Sequence, residues 1–361
     1  MNLKGRDMFA QVHCPTALAP HELDAYLERG WFRMRQNIFT TNFVHFKDQF
    51  YSALWLRISL AELKHDSSRD KLFKQNAIFR TEVRPASVTE EKEALYTRYR
   101  EQISFEPMAS LTQLLYGDMP AAGIYNSFEV AVYDNDKLIA VGFFDVGGIS
   151  AAGIVSVYDP AYKKYSLGKY LIYSKIEYCK KLSLQYFYPG YFVPGYKAFD
   201  YKLTIGRSAL HFLALHSQEW TSIDKFSPEY IPYTVMQSRL KEVQQILAGR
   251  TFESKLLKYE FFDANLFPEL RSAALFDFPV MLICSDAWNN NLNHVIVFDV
   301  RDAHYHLLQC IPVYIPNVQV KDPDFYSEYI IKEEHEIFRS KSAQGIVDWM
   351  TDYMTHQTIS V

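Results

Sequence analysis

The residues of this chain that could do chemistry gather between Asp136 and Lys202. Tyr165–Tyr170 reads YSLGKY. A glycine-containing turn ahead of a helix aims free backbone N–H groups at an anion, and Lys163, Lys164 and Lys169 flank it, so the chemistry suits phosphate. The plainer reading of a lone SLG is an ordinary helix start. Asp145 closes the apolar run KLIAVGFFDV, where an acid could hold an ammonium group or cap a turn. Tyr158 precedes Asp159-Pro160, and that Asp-Pro pair reads as a turn former. Tyr186, Tyr188 and Tyr191 stud the run QYFYPGYFV, offering phenols to a ligand's oxygens and rings that can stack on bases. Tyr196, Lys197, Tyr201 and Lys202 add stacking surface and phosphate contacts, or form a solvated loop.

Several elements must position these groups. SFEVAVYD and KLIAVGFFDV are two strands around Asn135–Asp136, a hairpin signal. Residues 153–158 read as a strand, Leu167–Leu182 as a helix and Gln185–Val193 as a strand split by Pro189 or lying at an edge. Residues 207–216 look helical. Upstream, 21–29 makes a short amphipathic helix behind Pro20, and residues 38–60 contain strand-like runs. A helix begins at Thr89 with acids in its first turn. GDMPAAG, residues 117–123, reads as a loop or domain junction. Downstream, VMLICS, HVIVFDV and HYHLLQCIPVYI look like strands, with Asn289–Asn291 as a turn.

The chain has 361 residues, which suits two domains better than one, and 48% of them are hydrophobic, as an ordered globular protein requires. The net charge of −4 hides an uneven spread. Residues 161–210 carry nine Lys/Arg against two acids, and residues 29–80 carry ten against four. Two basic stretches in an acidic chain suit local phosphate contacts. Cys14, Cys179, Cys284 and Cys310 lie far apart, so no metal knuckle is spelled locally. His304 and His306 near Cys310 would be metal-like only with a further convergent ligand. HExxH, GxSxG and P-loop patterns are absent. The start MNLKGRDMFAQVH lacks the apolar core of a signal peptide, so a cytoplasmic protein is expected.

Taken in order, KLIAV with Asp145, VYDP, YSLG and YFYPGYFVPGYKAFDYK resemble successive catalytic blocks of the aminoacyl-tRNA–protein transferases, the arginyl and leucyl transferases of the N-degron pathway. Gly30–Arg33 (GWFR), residues 67–76 (SSRDKLFKQN) and Leu95–Tyr99 (LYTRY) resemble N-terminal elements of the same family. The likeness spans roughly residues 20–210. It implies an α+β protein with an acyl-CoA N-acyltransferase-like (GNAT-like) catalytic domain over 121–225. An N-terminal α+β domain would precede it over 1–120, and a strand-containing C-terminal extension would follow over 226–361.

The implied activity is transfer of Arg or Leu from aminoacyl-tRNA to the N-terminal Asp or Glu of acceptor proteins, by direct aminolysis of the ester. Asp145, Tyr158, Tyr188 and Tyr191 are then the expected reaction centre. Ser166, Leu167, Gly168, Lys169, Tyr196, Lys197 and Lys202 would hold the donor end of the tRNA. Arg33, Arg35, Arg69 and Lys71 would contact tRNA or the acidic acceptor. The partners implied are aminoacyl-tRNA and acceptor proteins, with no membrane and no cofactor. The family places a Cys-rich cluster where this chain has FKDQFYSALWLRI; His45, immediately before it, is the only soft ligand there, so no metal is expected. Tyr196 and Phe199 stand where the family has Cys and Met, and its following YRP element has no clear counterpart. The rival readings are a coenzyme A-dependent N-acetyltransferase and a non-catalytic homologue that binds tRNA or N-termini.

Overall fold

A computed structural model describes residues 8–102, 107–117, 123–250, 252–284, 294–316 and 322–358. The chain enters through β1 (Ala10–His13) and α1 (Pro20–Glu28), which has Pro20 in its first turn and buries Leu23 and Leu27. Short strands follow: β2 (Phe32–Met34), β3 (Asn37–Thr41), β4 (Phe43–Phe46), β5 (Gln49–Ser52) and β6 (Leu54–Ser59). β1, β3 and β2 form a small sheet, and β4 and β5 a separate hairpin. α2 (Ser67–Asn76) starts at Asp66, whose carboxylate accepts from the N–H groups of Ser68 and Arg69. β7 (Arg80–Pro85) leads to α3 (Glu90–Arg100), which starts at Thr89 as expected, and to α4 (Leu111–Tyr116). Most of the 117–123 stretch, from 118 to 122, lies outside the described residues.

β8 (Ser127–Asp134) and β9 (Lys137–Val146) form the expected hairpin, with Asn135 in the left-handed region at φ 51°. β10 (Ser150–Tyr158), α5 (Leu167–Lys181) and β11 (Tyr186–Phe192) come next. The 207–216 segment is not the helix its composition suggests. After one short turn at Arg207–Ala209 it becomes β12 (Leu210–Ala214), which pairs with β6 on one side and with β13 (Glu219–Ser222) on the other. A short apolar run fits either period, and the open sheet edge decides it.

These strands make one eight-stranded sheet in the order β13-β12-β6-β11-β10-β9-β8-β7, with β6 and β7 drawn from the first 120 residues. Every pairing is antiparallel except β10 with β11, which is parallel and lasts only from Ser150↔Tyr186 to Ala152↔Tyr188. Beyond those residues the two strands part. The β11–β6 register also shifts between Phe187 and Gly190, around Pro189, which has no N–H to give the ladder. β11 is thus neither split nor at an edge: it runs unbroken through Pro189 in the sheet interior, and the proline is absorbed by the register shift. α5 covers one face of the sheet, burying Leu167, Leu171, Ile176 and Cys179. α3 and α4 cover one part of the other face, and α1 with the small sheet covers the rest. The β9–β10 turn is pinned by Asp24, whose carboxylate accepts from the N–H groups of Gly148 and Ile149 and from Ser150.

The C-terminal part is a second mixed unit. α6 (Pro232–Gly249) precedes β14 (Ser254–Tyr259), β15 (Val280–Cys284), β16 (His294–Asp299), β17 (His304–Tyr314), β18 (Phe325–Tyr326), β19 (Ile330–Ser340) and α7 (Ala343–Thr358). The six strands form one sheet in the order β18-β14-β15-β16-β17-β19. The three expected strands are present; the expected turn at Asn289–Asn291 lies outside the described residues. The core of this unit reaches back to Phe9, Phe43 and Phe50. Thus the β4–β5 hairpin is held by aromatic packing, with Phe50 at 4.9 Å from Phe262 and His45 edge-on to Phe50 at 4.8 Å. No described helix is long and apolar enough to cross a membrane.

Candidate functional site

Where β10 parts from β11, the start of α5 opens onto a cavity of about 310 Å³ lined by Tyr99, Ser156, Tyr158, Lys163, Ser166, Gly168, Lys169, Ile172 and Tyr201. Ser166, at the N-cap of α5, sits in the left-handed region at φ 52° and its side chain caps nothing. The first-turn amides of a 15-residue helix therefore have no side-chain cap, which is the arrangement that receives an anion. Tyr99, from α3, lies edge-on to Tyr158 at 5.2 Å. Burial, reinforced by Tyr158 and Tyr201, pushes the Tyr99 phenol up to about 12, so it is a donor at neutral pH. A Cβ on Gly168 would sit 3.5 Å from the Tyr158 ring, an ordinary contact, so this glycine leaves room in the cavity rather than relieving backbone strain.

The structure thus brings together Tyr158, Ser166, Gly168 and Lys169 from the expected set. Lys163 and Tyr201, also noted in the sequence, line the same cavity, and the structure adds Tyr99 and Ser156. Tyr99 could have been found through the LYTRY likeness, but nothing local marks Ser156. Leu167, expected at the donor site, has a fully buried side chain in the core under α5 and can offer only its backbone.

A second groove of about 450 Å³ adjoins on the same side, lined by residues that include Lys64, Arg69, Thr204 and Arg207. Lys169 links the two spaces by donating to Thr204 Oγ1 at 3.1 Å. Arg69 is half committed: it meets Glu177 at 3.1 Å and Asp70 at 3.5 Å. Lys71 is exposed on α2 and lines neither space.

The remaining expected residues lie elsewhere. Asp145 and Arg33 are paired at 2.9 Å, with both side chains almost wholly out of water. Asp145 Oδ1 also accepts from Ser127 Oγ at 2.6 Å, whereas Oδ2 is buried without a hydrogen-bond partner. Burial pushes this carboxyl up, against the guanidinium of Arg33 and the hydroxyl of Ser127, which hold it down. Arg33 further donates to the carbonyls of Arg35 and Leu115 and lies over the Tyr125 ring, so it does not face solvent as a tRNA contact would. Arg35 packs its stem against Gly117 and reaches Met108 Sδ.

Tyr188 is buried beside α1, donating to Glu28 at 3.2 Å. Tyr191 stacks on Phe199 at 5.5 Å, and Phe199 in turn faces Tyr196 and Phe46. Lys202 closes this aromatic wall, donating to the carbonyl of Tyr191 at 2.7 Å and lying over the rings of Tyr191 and Phe199. Burial lowers its ammonium to about 7 and raises the Tyr191 phenol to about 12. Lys197 is exposed at the start of the turn that carries these groups.

Among the described residues, the side chains grouped as metal ligands could be are Asp299, Asp302 and His306. His306 is bonded through Nδ1 to Glu336 at 2.6 Å and through Nε2 to Asp302 at 3.1 Å, and Asp299 forks onto Arg301. His304 and Cys310 are not part of that group.

The chain is similar to known proteins over the segment that carries this geometry. Residues 91–211, from α3 to the start of β12, match the family described as arginine-tRNA-protein transferase, C terminus. An aspartate/glutamate leucyltransferase of Leptospira interrogans is 29% identical over 224 residues, covering 61% of this chain and 86% of that protein. One from Campylobacter jejuni is 28% identical over 180 residues, covering 49% and 74%. Among solved structures, the C-terminal domain of a putative lysylphosphatidylglycerol synthetase from Agrobacterium fabrum superposes with a TM-score of 0.33 at 13% identity, over 39% of this chain and 47% of that one. The ribosomal-protein-S18-alanine N-acetyltransferase from Escherichia coli does so with 0.22 at 18% identity, over 28% and 61%. The protein is an enzyme of the acyltransferase class. Within that class, residues 91–211 carry the likeness to the arginine-tRNA-protein transferase C terminus, and the chain is similar to the aspartate/glutamate leucyltransferases.

Proposed function

We propose that this enzyme moves an amino acid, Leu or Arg, from its tRNA ester to the N-terminal Asp or Glu of an acceptor protein. The observation that carries the reading is the uncapped start of α5 opening onto a cavity walled by Tyr99, Tyr158 and Tyr201 and edged by Lys163 and Lys169. Aromatic walls accept a base, and helix amides with lysines accept its phosphate. The 3′-terminal nucleoside of the tRNA enters this cavity, and the preceding nucleotides follow Lys169 toward Arg69 and Arg207. We further assign the catalytic body to the eight-stranded sheet and its helices, in a GNAT-like arrangement, with the C-terminal unit as a buttress.

The chemistry asks little of the protein. The ester is already activated, and the attacking α-amine has a pKa near 8, so orientation and proton removal suffice. The neutral amine nitrogen bonds to the ester carbonyl carbon, and the bond from that carbon to the tRNA ribose oxygen breaks. The proton lost by nitrogen is matched, through solvent or a neutral base, by one taken up by the ribose oxygen, which leaves as the free hydroxyl. Tyr191 and Lys202 flank the parting of β10 and β11 on the β11 side, and Asp145 with Tyr188 shapes the opposite face. The direct test is purified protein with tRNA charged with labelled leucine or arginine, offered to peptides beginning Asp, Glu or Ala. Label on the acidic peptides alone supports the reading and names the donor. Stabilisation by acetyl-CoA with no tRNA binding would replace it with the coenzyme A reading.

A further inference from the structure

Beneath the cavity lies a charged group that the transfer reaction does not itself use. Gly168, Ile172 and Lys175 fall on one face of α5, and that face looks onto β10. Lys175 is buried, and its ammonium donates to the carbonyls of Phe143 at 2.9 Å and Val155 at 3.1 Å, and to Ser156 Oγ at 3.2 Å. The slot it fills exists because Gly142 is directly opposite Ser156 across the β9–β10 ladder. A Cβ on Gly142 would stand 2.8 Å from Lys175 Cε. The β10 register shifts between Gly153 and Val155, just before this point. Ser156 is also part of the cavity wall.

A hydroxyl that accepts from an ammonium must send its own proton elsewhere. We infer that Lys175 polarises Ser156 so that its hydroxyl donates into the cavity, selecting a donor nucleoside that presents a hydrogen-bond acceptor there. This rests on the functional reading above. Lys175 is then a positioning residue and Ser156 a specificity-determining one. The arrangement depends on charge. Burial lowers the Lys175 ammonium to about 7, with Cys179 on its own helix and Asp145 on β9 acting in the opposite direction. From β10 it faces Ser156 and the Val155 carbonyl, while Tyr158, Lys163 and Lys169 stand round the cavity above. When Lys175 loses its proton, its nitrogen becomes an acceptor for the Ser156 hydroxyl, which turns away from the ligand.

The test is the affinity of the intact protein for leucyl- and arginyl-tRNA between pH 6 and pH 8.5, for wild type, Ser156→Ala and Lys175→Met. Wild type is expected to weaken as pH rises. Ser156→Ala is expected to bind about ten-fold more weakly at pH 6, the effect of removing one hydrogen bond, with KM raised and kcat little changed. It is also expected to lose the wild-type change with pH. Lys175→Met should show the same flat profile. If that variant does not fold, Ser156→Ala alone decides. Wild type that binds while Ser156→Ala matches it in affinity and pH profile overturns this inference and leaves the function standing. Wild type that binds neither tRNA overturns both.

Discussion

Arg33 and Asp145 meet at 2.9 Å across the seam between the small N-terminal sheet and the long β9 strand, 112 residues apart in sequence and both nearly dry. A buried pair of this kind is costly to break from one side, because the surviving charge is left without a partner. Arg33→Ala is therefore expected to lose about 3–5 kcal/mol of stability, read from denaturant midpoints. If Asp145 also faces the reaction, Asp145→Asn with Tyr188→Phe should cut transfer at least about ten-fold while far-UV CD stays native, since one charge-assisted hydrogen bond is already worth that factor. Unchanged transfer in the double variant would make the Arg33–Asp145 pair purely architectural.

Gly168 gives a cleaner separation of fold from function. Its backbone is helical and a Cβ there would make only ordinary contact, so Gly168→Ala should hold or slightly raise the melting temperature. The added methyl points toward Tyr158, and KM for aminoacyl-tRNA should rise several-fold. A variant with both normal stability and normal KM would show that the donor lies elsewhere.

Lys163 and Lys169 edge the same cavity. Replacing both by Ala should weaken tRNA binding and flatten its salt dependence by about 1–2 in the log–log slope, roughly one for each phosphate that is no longer neutralised. Weaker binding with an unchanged slope would mean that neither lysine touches phosphate.

Asp277 ties the C-terminal unit to β1, accepting from the N–H groups of Phe9 and Ala10 beside Arg301. Burial raises its carboxyl from the usual range to about 7. Between the unfolded value of 3.8 and that value the folded chain holds the extra proton, so stability falls as pH rises through this window. Going from pH 5 to pH 7, wild type should lose up to about 2 kcal/mol that Asp277→Asn does not lose. Parallel curves for the two proteins would show that the carboxylate is ionised in the fold throughout.

Much of the eight-stranded sheet was legible in local sequence, because its signals are local. Asn135–Asp136 between two apolar strand-like runs signals a turn, Thr89 with Glu90, Glu91 and Glu93 in the next turn signals a helix start, and the order of blocks from KLIAV to FDYK carried the family likeness. What the sequence could not decide were the matters set by neighbours far along the chain. Leu210–Ala214 became a strand because β6 offered an unpaired edge. Arg33 turned inward because Asp145 sits opposite it, so a residue read as a surface cation became a buried partner. The cavity joins Tyr99, Ser156, Tyr158, Gly168 and Tyr201 from two helices, a strand and a turn, a convergence that no spacing announces. Lys175 reads on its helix as one more solvated cation. It lies buried because Gly142, 33 positions earlier, leaves the space for its stem. Local propensity and periodicity are written within a few residues, whereas burial, pairing and the pKa values that follow from them exist only once the sheet has closed.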